Sequence, residues 1–98
     1  MEKNTPHCKL TIVKTMIEAG KVRATKSALQ GAVALGMQHD DMMTTIMALT
    51  SADFYKSMTT YDDHRVWQDV YRPKTPFGDV YLKLTVIDDI LIVSFKEL

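Results

Sequence analysis

Two runs of alternating side chains, Asp79–Ile87 and Ile90–Lys96, meet at Asp88-Asp89, and nothing else in the chain restricts the fold as tightly. Alternation with period two marks a half-buried strand, and an acidic pair between two such runs is turn chemistry. A two-residue loop at Asp88-Asp89 pairs Val86 with Leu91, Leu84 with Val93 and Leu82 with Phe95 on one apolar face. The opposite face then carries Thr85 with Ile92, Lys83 with Ser94 and Tyr81 with Lys96. A tyrosine and a lysine become cross-strand neighbours on the side turned away from the apolar layer.

Two earlier runs, Phe54–Tyr61 and Val66–Arg72, have the aromatic and β-branched content of strands and are separated by Asp62-Asp63-His64-Arg65. A four-residue loop over Pro73–Pro76 sets Gln68 beside Tyr81, adding an amide to the polar face. The edge of the Phe54–Tyr61 strand is expected to stay uncovered.

Before residue 50 the period becomes helical. Thr5-Pro6 predicts an N-cap and first turn for a helix over 7–19, with Leu10, Val13 and Ile17 inward and Gly20 past its end. After an extended Lys21–Ala24, Thr25 caps a second helix that turns Ala28, Leu29, Ala32 and Leu35 inward and stops at Gly36, with Gly31 as a weak point inside it. Asp40 caps a third, whose Met43, Ile46 and Met47 stripe runs to Leu49; methionine at that spacing is ordinarily core filler. Thr50-Ser51-Ala52-Asp53 reads as a capping box for a single turn. The sum is an α+β domain spanning residues 1–98. An antiparallel sheet fills the C-terminal half, helices cover one face, and Gln68, Tyr81, Lys83 and Lys96 lie on the other, open and concave.

With 46% apolar residues and 12 basic against 12 acidic side chains, the chain is neither a disordered tail nor a basic protein drawn nonspecifically to nucleic acid. Residues 1–35 are nonetheless net +4, residues 36–63 net −4 and residues 64–98 neutral, so an anion site must be a local cluster. One cysteine, Cys8, excludes an internal disulfide and a four-cysteine zinc site, and fits a reducing compartment. The polar first ten residues and the lack of a long apolar run predict a cytoplasmic protein, neither secreted nor membrane-spanning. Glycines are scattered at positions 20, 31, 36 and 78, which argues against a phosphate-cradling loop and nucleotide chemistry. The acidic pairs Asp40-Asp41, Asp62-Asp63 and Asp88-Asp89 fall at caps and turns, where Asp serves the backbone, so no metal or other cofactor is expected. His7, His39 and His64 lie in separate segments; His64, beside Arg65 and near the Gln68 strand, has the best claim to a role.

A tyrosine, two lysines and a glutamine on one face supply donors and positive charge, which suits a phosphodiester. Cleaving RNA through its own 2′-hydroxyl needs a base, a proton donor for the leaving oxygen and cations for the phosphorane, and lysine and tyrosine can fill each part. The plainer reading, solvated Lys and Tyr on a sheet face, stands beside it.

Four blocks carry a resemblance that spans the chain: Phe54–Tyr61 (FYKSMTTY), Trp67–Pro73 (WQDVYRP), Val80–Lys83 (VYLK) and Leu91–Glu97 (LIVSFKE). The sequence resembles the MqsR-type toxins, ribosome-independent mRNA interferases with a RelE-like fold. The resemblance implies catalytic roles for Lys56, Gln68, Tyr81 and Lys96, all four residue types being retained; Lys83, Arg72 and His64 are expected to contact RNA. It also implies metal-independent cleavage at short GC-containing, GCU-like sites, giving 2′,3′-cyclic phosphate and 5′-hydroxyl ends. A cognate MqsA-like antitoxin would neutralise the toxin, bind zinc itself and repress the operon, so no direct DNA binding is expected of this chain alone. The Met-rich stretch at 31–49 and the neutral charge depart from the family pattern. From another class, the alternative is a noncatalytic or attenuated toxin-like module that binds antitoxin or RNA without cutting.

Overall fold

A computed structural model describes residues 1–98. In chain order the elements are β1 (Glu2–Lys3), α1 (Leu10–Glu18), β2 (Val22–Ala24), α2 (Lys26–Ala34), α3 (His39–Met47), a single 3-10 turn (Ser51–Asp53), β3 (Phe54–Thr59), β4 (Trp67–Tyr71), β5 (Lys74–Thr75), β6 (Gly78–Ile87) and β7 (Asp89–Glu97). The sheet runs β1-β3-β4-β6-β7-β2, with β5 pairing to β6 beside this path. All pairings are antiparallel except that of β2 with β7. The α+β architecture expected from the sequence is what forms.

The core lies between the sheet and the helices. Tyr71, Leu82, Leu84, Ile90, Ile92 and Phe95 from the sheet meet Val13, Ala28, Ala32, Met42, Ile46 and Leu49 from the helices and the segment that follows α3, all essentially without solvent exposure. Each such large side chain is worth about 1.5–3 kcal/mol of burial, enough to fix which face of every strand turns inward. Thr25 caps α2, its hydroxyl accepting from the Ala28 N–H at 3.1 Å and donating to the Val93 carbonyl at 2.9 Å. Gly36, at φ 84, follows α2. The expected turn at 50–53 is present, with the Asp53 carboxylate accepting from the Thr50 N–H at 2.8 Å.

Several boundaries differ from the sequence reading, each for a physical reason. The first helix starts at Leu10, and Thr5-Pro6 does not cap it, because the N–H groups of His7 and Cys8 donate instead to the buried Asp69 carboxylate at 2.9 and 3.0 Å. Two charge-assisted bonds to one buried carboxylate outweigh an exposed first turn. The third helix is capped by Gln38, whose N–H donates to Asp41 at 2.8 Å, rather than by Asp40. That rotates its stripe: Met42 is fully buried, while Met43 and Met47 are only half-buried. Leu29 of α2 is 41% exposed, not inward. β1 lies against the Ser57–Met58 stretch of β3, so that edge is partly covered.

Register changed most. Past Lys83, β7 holds one extra residue, and Leu84 faces Ile92, Thr85 faces Leu91 and Val86 faces Ile90, while Tyr81 keeps Lys96 and Leu82 keeps Phe95. The turn narrows to Asp88, held at φ 62, where Asp is one of the few side chains tolerated. In the preceding hairpin the Pro73–Pro76 loop is replaced by a tighter turn at Pro76-Phe77, because β5 continues the pairing, Lys74 with Asp79 and Thr75 with Gly78. Pro73 is compatible with this, since the ladder uses only its carbonyl, which accepts from the Val80 N–H at 3.0 Å.

Gly31 is where α2 comes closest to β7. A Cβ there would collide with the Phe95 carbonyl and lie 3.2 Å from the Lys96 Cβ. Alanine would gain about 1 kcal/mol of helix propensity, less than the 1–3 kcal/mol typical of forcing atoms into a packed site. Gly31→Ala is therefore expected to lower the urea midpoint of unfolding; an unchanged or raised midpoint would show that the contact is not close.

Candidate active site

Cross-strand pairing builds the site row by row on the face away from the helices. Lys56 on β3 lies opposite Val70 on β4, Val70 opposite Lys83 on β6, and Lys83 opposite Ser94 on β7. Along the strands, Arg72 follows β4 next to the Tyr81 and Lys96 pair, and on the other side Gln68 faces Met58. Val70 is fully buried although it sits on this face, as expected where the aliphatic stems of neighbouring lysines lie over an apolar residue.

Lys56 reaches this face only because of a bulge. Phe54 pairs with Tyr71 on the core side, its ring 5.4 Å from the Tyr71 ring, yet Lys56, two residues on, pairs with Val70 on the other side. Tyr55 is the extra residue, and it reverses the alternation. The bulge also leaves Tyr55 half exposed, its ring 4.6 Å from the Arg72 guanidinium and 5.4 Å from the Lys56 ammonium. Sequence reasoning missed Tyr55, since strict alternation gives no sign of it.

Around Tyr81 the cations converge. Lys96 Nζ lies 5.3 Å and Lys83 Nζ 5.9 Å from the centre of its ring. Burial lowers the Lys83 pKa from the ordinary lysine value, and the like charges of Lys96 and Lys56 lower it further. Lys56 moves the other way, held up chiefly by a 2.8 Å hydrogen bond to the Glu2 carboxylate. His64, Gln68 and Lys83 line, with Met58 and Tyr61, an open concavity of about 800 Å³ at one end of the face.

The structure thus brings together Lys56, Arg72, Tyr81, Lys83 and Lys96, and sets Gln68 and His64 at the adjoining concavity. It does not place Gln68 beside Tyr81. The tighter turn shifts Gln68 two rows away, about 13 Å along the strand. No three His, Cys, Asp or Glu side chains gather into a group able to hold a metal ion. The arrangement is a cluster of amines, a guanidinium and a phenol over an apolar floor, chemistry suited to an anion.

The family model described as "Motility quorum-sensing regulator, toxin of MqsA" matches residues 5–97. The chain belongs to the MqsR toxin family. It is 60% identical over 97 residues to the mRNA interferase toxin MqsR of Escherichia coli (strain K12), covering 99% of each chain. In this chain, Lys56, Gln68, Tyr81, Lys83 and Lys96 lie on strands β3, β4, β6 and β7, and Arg72 directly follows β4, all within the matched residues.

Because the folded protein holds the Lys83 proton less tightly than the unfolded chain does, this group's contribution to stability grows as pH rises toward the ordinary lysine value of about 10.4. Followed by NMR of the lysine side chains, Lys83 should titrate below the ordinary value and Lys56 above it. Lys96→Met should move Lys83 back upward; a Lys83 that ignores the loss of Lys96 would mean that the two ammonium groups are not near neighbours.

Proposed function

We propose that the chain is the toxin of a toxin–antitoxin pair: a single-domain mRNA endoribonuclease, residues 1–98, that cuts free RNA at specific short sites without the ribosome. It would act in the cytoplasm, inhibiting translation and growth until a cognate antitoxin of the MqsA type binds it. What carries the reading is the convergence of Lys83 and Lys96 on Tyr81, with Lys56 in the same row as Lys83, in a chain 60% identical to an mRNA interferase toxin along its whole length. No helix is long and apolar enough to cross a membrane. Operator DNA binding is not assigned to this chain alone.

Cleavage proceeds by attack of the RNA's own 2′-hydroxyl on the adjacent phosphorus. The 2′-oxygen loses its proton and bonds to phosphorus, the bond from phosphorus to the 5′-oxygen breaks, and that oxygen takes up a proton. The products end in 2′,3′-cyclic phosphate and 5′-hydroxyl. Lys56 and Lys96 stabilise the added negative charge of the phosphorane, an effect that fixed charges supply without reorganisation. Tyr81, between the lysines, donates a proton to the leaving oxygen or holds the phosphate. Lys83, whose pKa is lowered chiefly by burial, binds RNA beside them. Gln68, Arg72 and His64 bind the strand on either side of the scissile phosphate. No metal or other cofactor enters the reaction.

Purified chain incubated with naked RNA tests this directly. Cutting should persist in chelator and leave 5′-hydroxyl ends. Lys96→Ala should slow it by about 10²-fold or more, the usual cost of removing one charge-stabilising donor, and Tyr81→Phe by at least about tenfold. Intact RNA would favour a noncatalytic binder, and 5′-phosphate ends or dependence on divalent metal would refute the 2′-hydroxyl route.

A further inference from the structure

The sequence places no carboxylate among the lysines, but the fold brings one there. β1 pairs Glu2 with Met58 and Lys3 with Ser57, so the pleat turns the two side chains to opposite faces of the sheet. Lys3 goes to the far face, its ammonium 4.1 Å from the centre of the Trp67 ring. Glu2 goes to the lysine face and reaches diagonally to Lys56, Oε2 to Nζ 2.8 Å. A two-residue strand is weak by itself, and the arm is anchored at its other end by the two bonds from His7 and Cys8 to Asp69.

Of the face's cations, Lys56 alone has a salt-bridge partner; Arg72, Lys83 and Lys96 have none. The Glu2 carboxylate is largely exposed and tethered through a short strand, so it can leave. A carboxylate oxygen 2.8 Å from an ammonium takes one of its three donors and sets a negative charge where a phosphate oxygen would approach, so carboxylate and phosphate compete for Lys56.

We propose that Glu2 is an internal stand-in for the RNA phosphate. It holds the Lys56 ammonium directed over the face in the free protein, and is exchanged for a phosphate oxygen when RNA binds. The proposal rests on the reading of this face as the RNA site. Its consequence is that Glu2 sets the affinity for RNA: every binding event must break the Glu2–Lys56 contact, so the protein binds less tightly than its cations alone would allow. The residue acts through Lys56 and takes no part in bond making.

The test is binding of a short, labelled single-stranded RNA carrying 2′-O-methyl ribose throughout, which cannot be cleaved by 2′-hydroxyl attack, titrated across a range of salt. Glu2→Gln keeps the side-chain shape and should tighten binding roughly two- to fivefold at low salt, the usual worth of one exposed ion pair. The gain should shrink as salt rises, because salt screens the Glu2–Lys56 attraction that RNA has to overcome. In a Lys56→Met background, Glu2→Gln should lose most of this effect. Unchanged or weaker binding by Glu2→Gln, or an equal gain in both backgrounds, would overturn the exchange while leaving the RNA face in place. Lys56→Met binding as well as the unaltered protein would instead overturn the reading of the face on which the exchange depends.

Discussion

Two single-residue insertions in strand alternation decide what this sheet can do. A strand turns successive side chains to opposite faces, and a bulge reverses the assignment for everything beyond it. On β3 the extra residue is Tyr55, and in a regular, unbulged strand Lys56 would share the core side with Phe54. On β7 the extra residue lies at Val93, and it lets both Ile92 and Phe95 pack inward while Ser94 and Lys96 face outward beside Lys83 and Tyr81. The lysines share a face because the core residues flanking each bulge are held in place by burial. Losing one large core side chain costs several kcal/mol, far more than the strain of a bulge.

The same division explains how a chain with no net charge can hold a cationic site. Four of its acidic side chains are engaged away from that face: Asp41 and Asp53 on backbone groups in caps, Asp69 on the His7 and Cys8 amides, and Asp63 on the Arg65 amide and guanidinium. Of the carboxylates, Glu2 alone bonds a cation of the concave face. Beneath the lysines lie Val70 and the sheet's own core layer, a setting in which charges interact more strongly than in water. Burial, with the like charges of Lys96 and Lys56 added to it, lowers the Lys83 pKa there.

Much of this was legible in the sequence. Period and turn chemistry gave the helices, the four main strands and the pairing of Tyr81 with Lys96, because that pair lies at the open end of the hairpin, beyond the irregularity at Val93. The position of Gln68 was misread because Pro73 and Pro76 look like loop residues, although one proline needed only its carbonyl and the other sat in a tight turn. The start of α1 was misread because its competitor, Asp69, is 61 residues away from Cys8 in the chain. Glu2 and Tyr55 escaped notice for the same general reason. Local pattern carries neither a two-residue strand pairing across the sheet nor a bulge, both of which long-range packing decides.

The central claim is that RNA lies on the concave face and nowhere else. Mapping NMR shift changes as uncleavable 2′-O-methyl RNA is added tests it most directly. The account predicts changes that centre on Lys56, Arg72, Tyr81, Lys83 and Lys96 and extend to Gln68 and His64, with the outer helix positions Ile12, Leu29 and Val33 unmoved. Changes centred on those helix positions, with the lysine face silent, would contradict it.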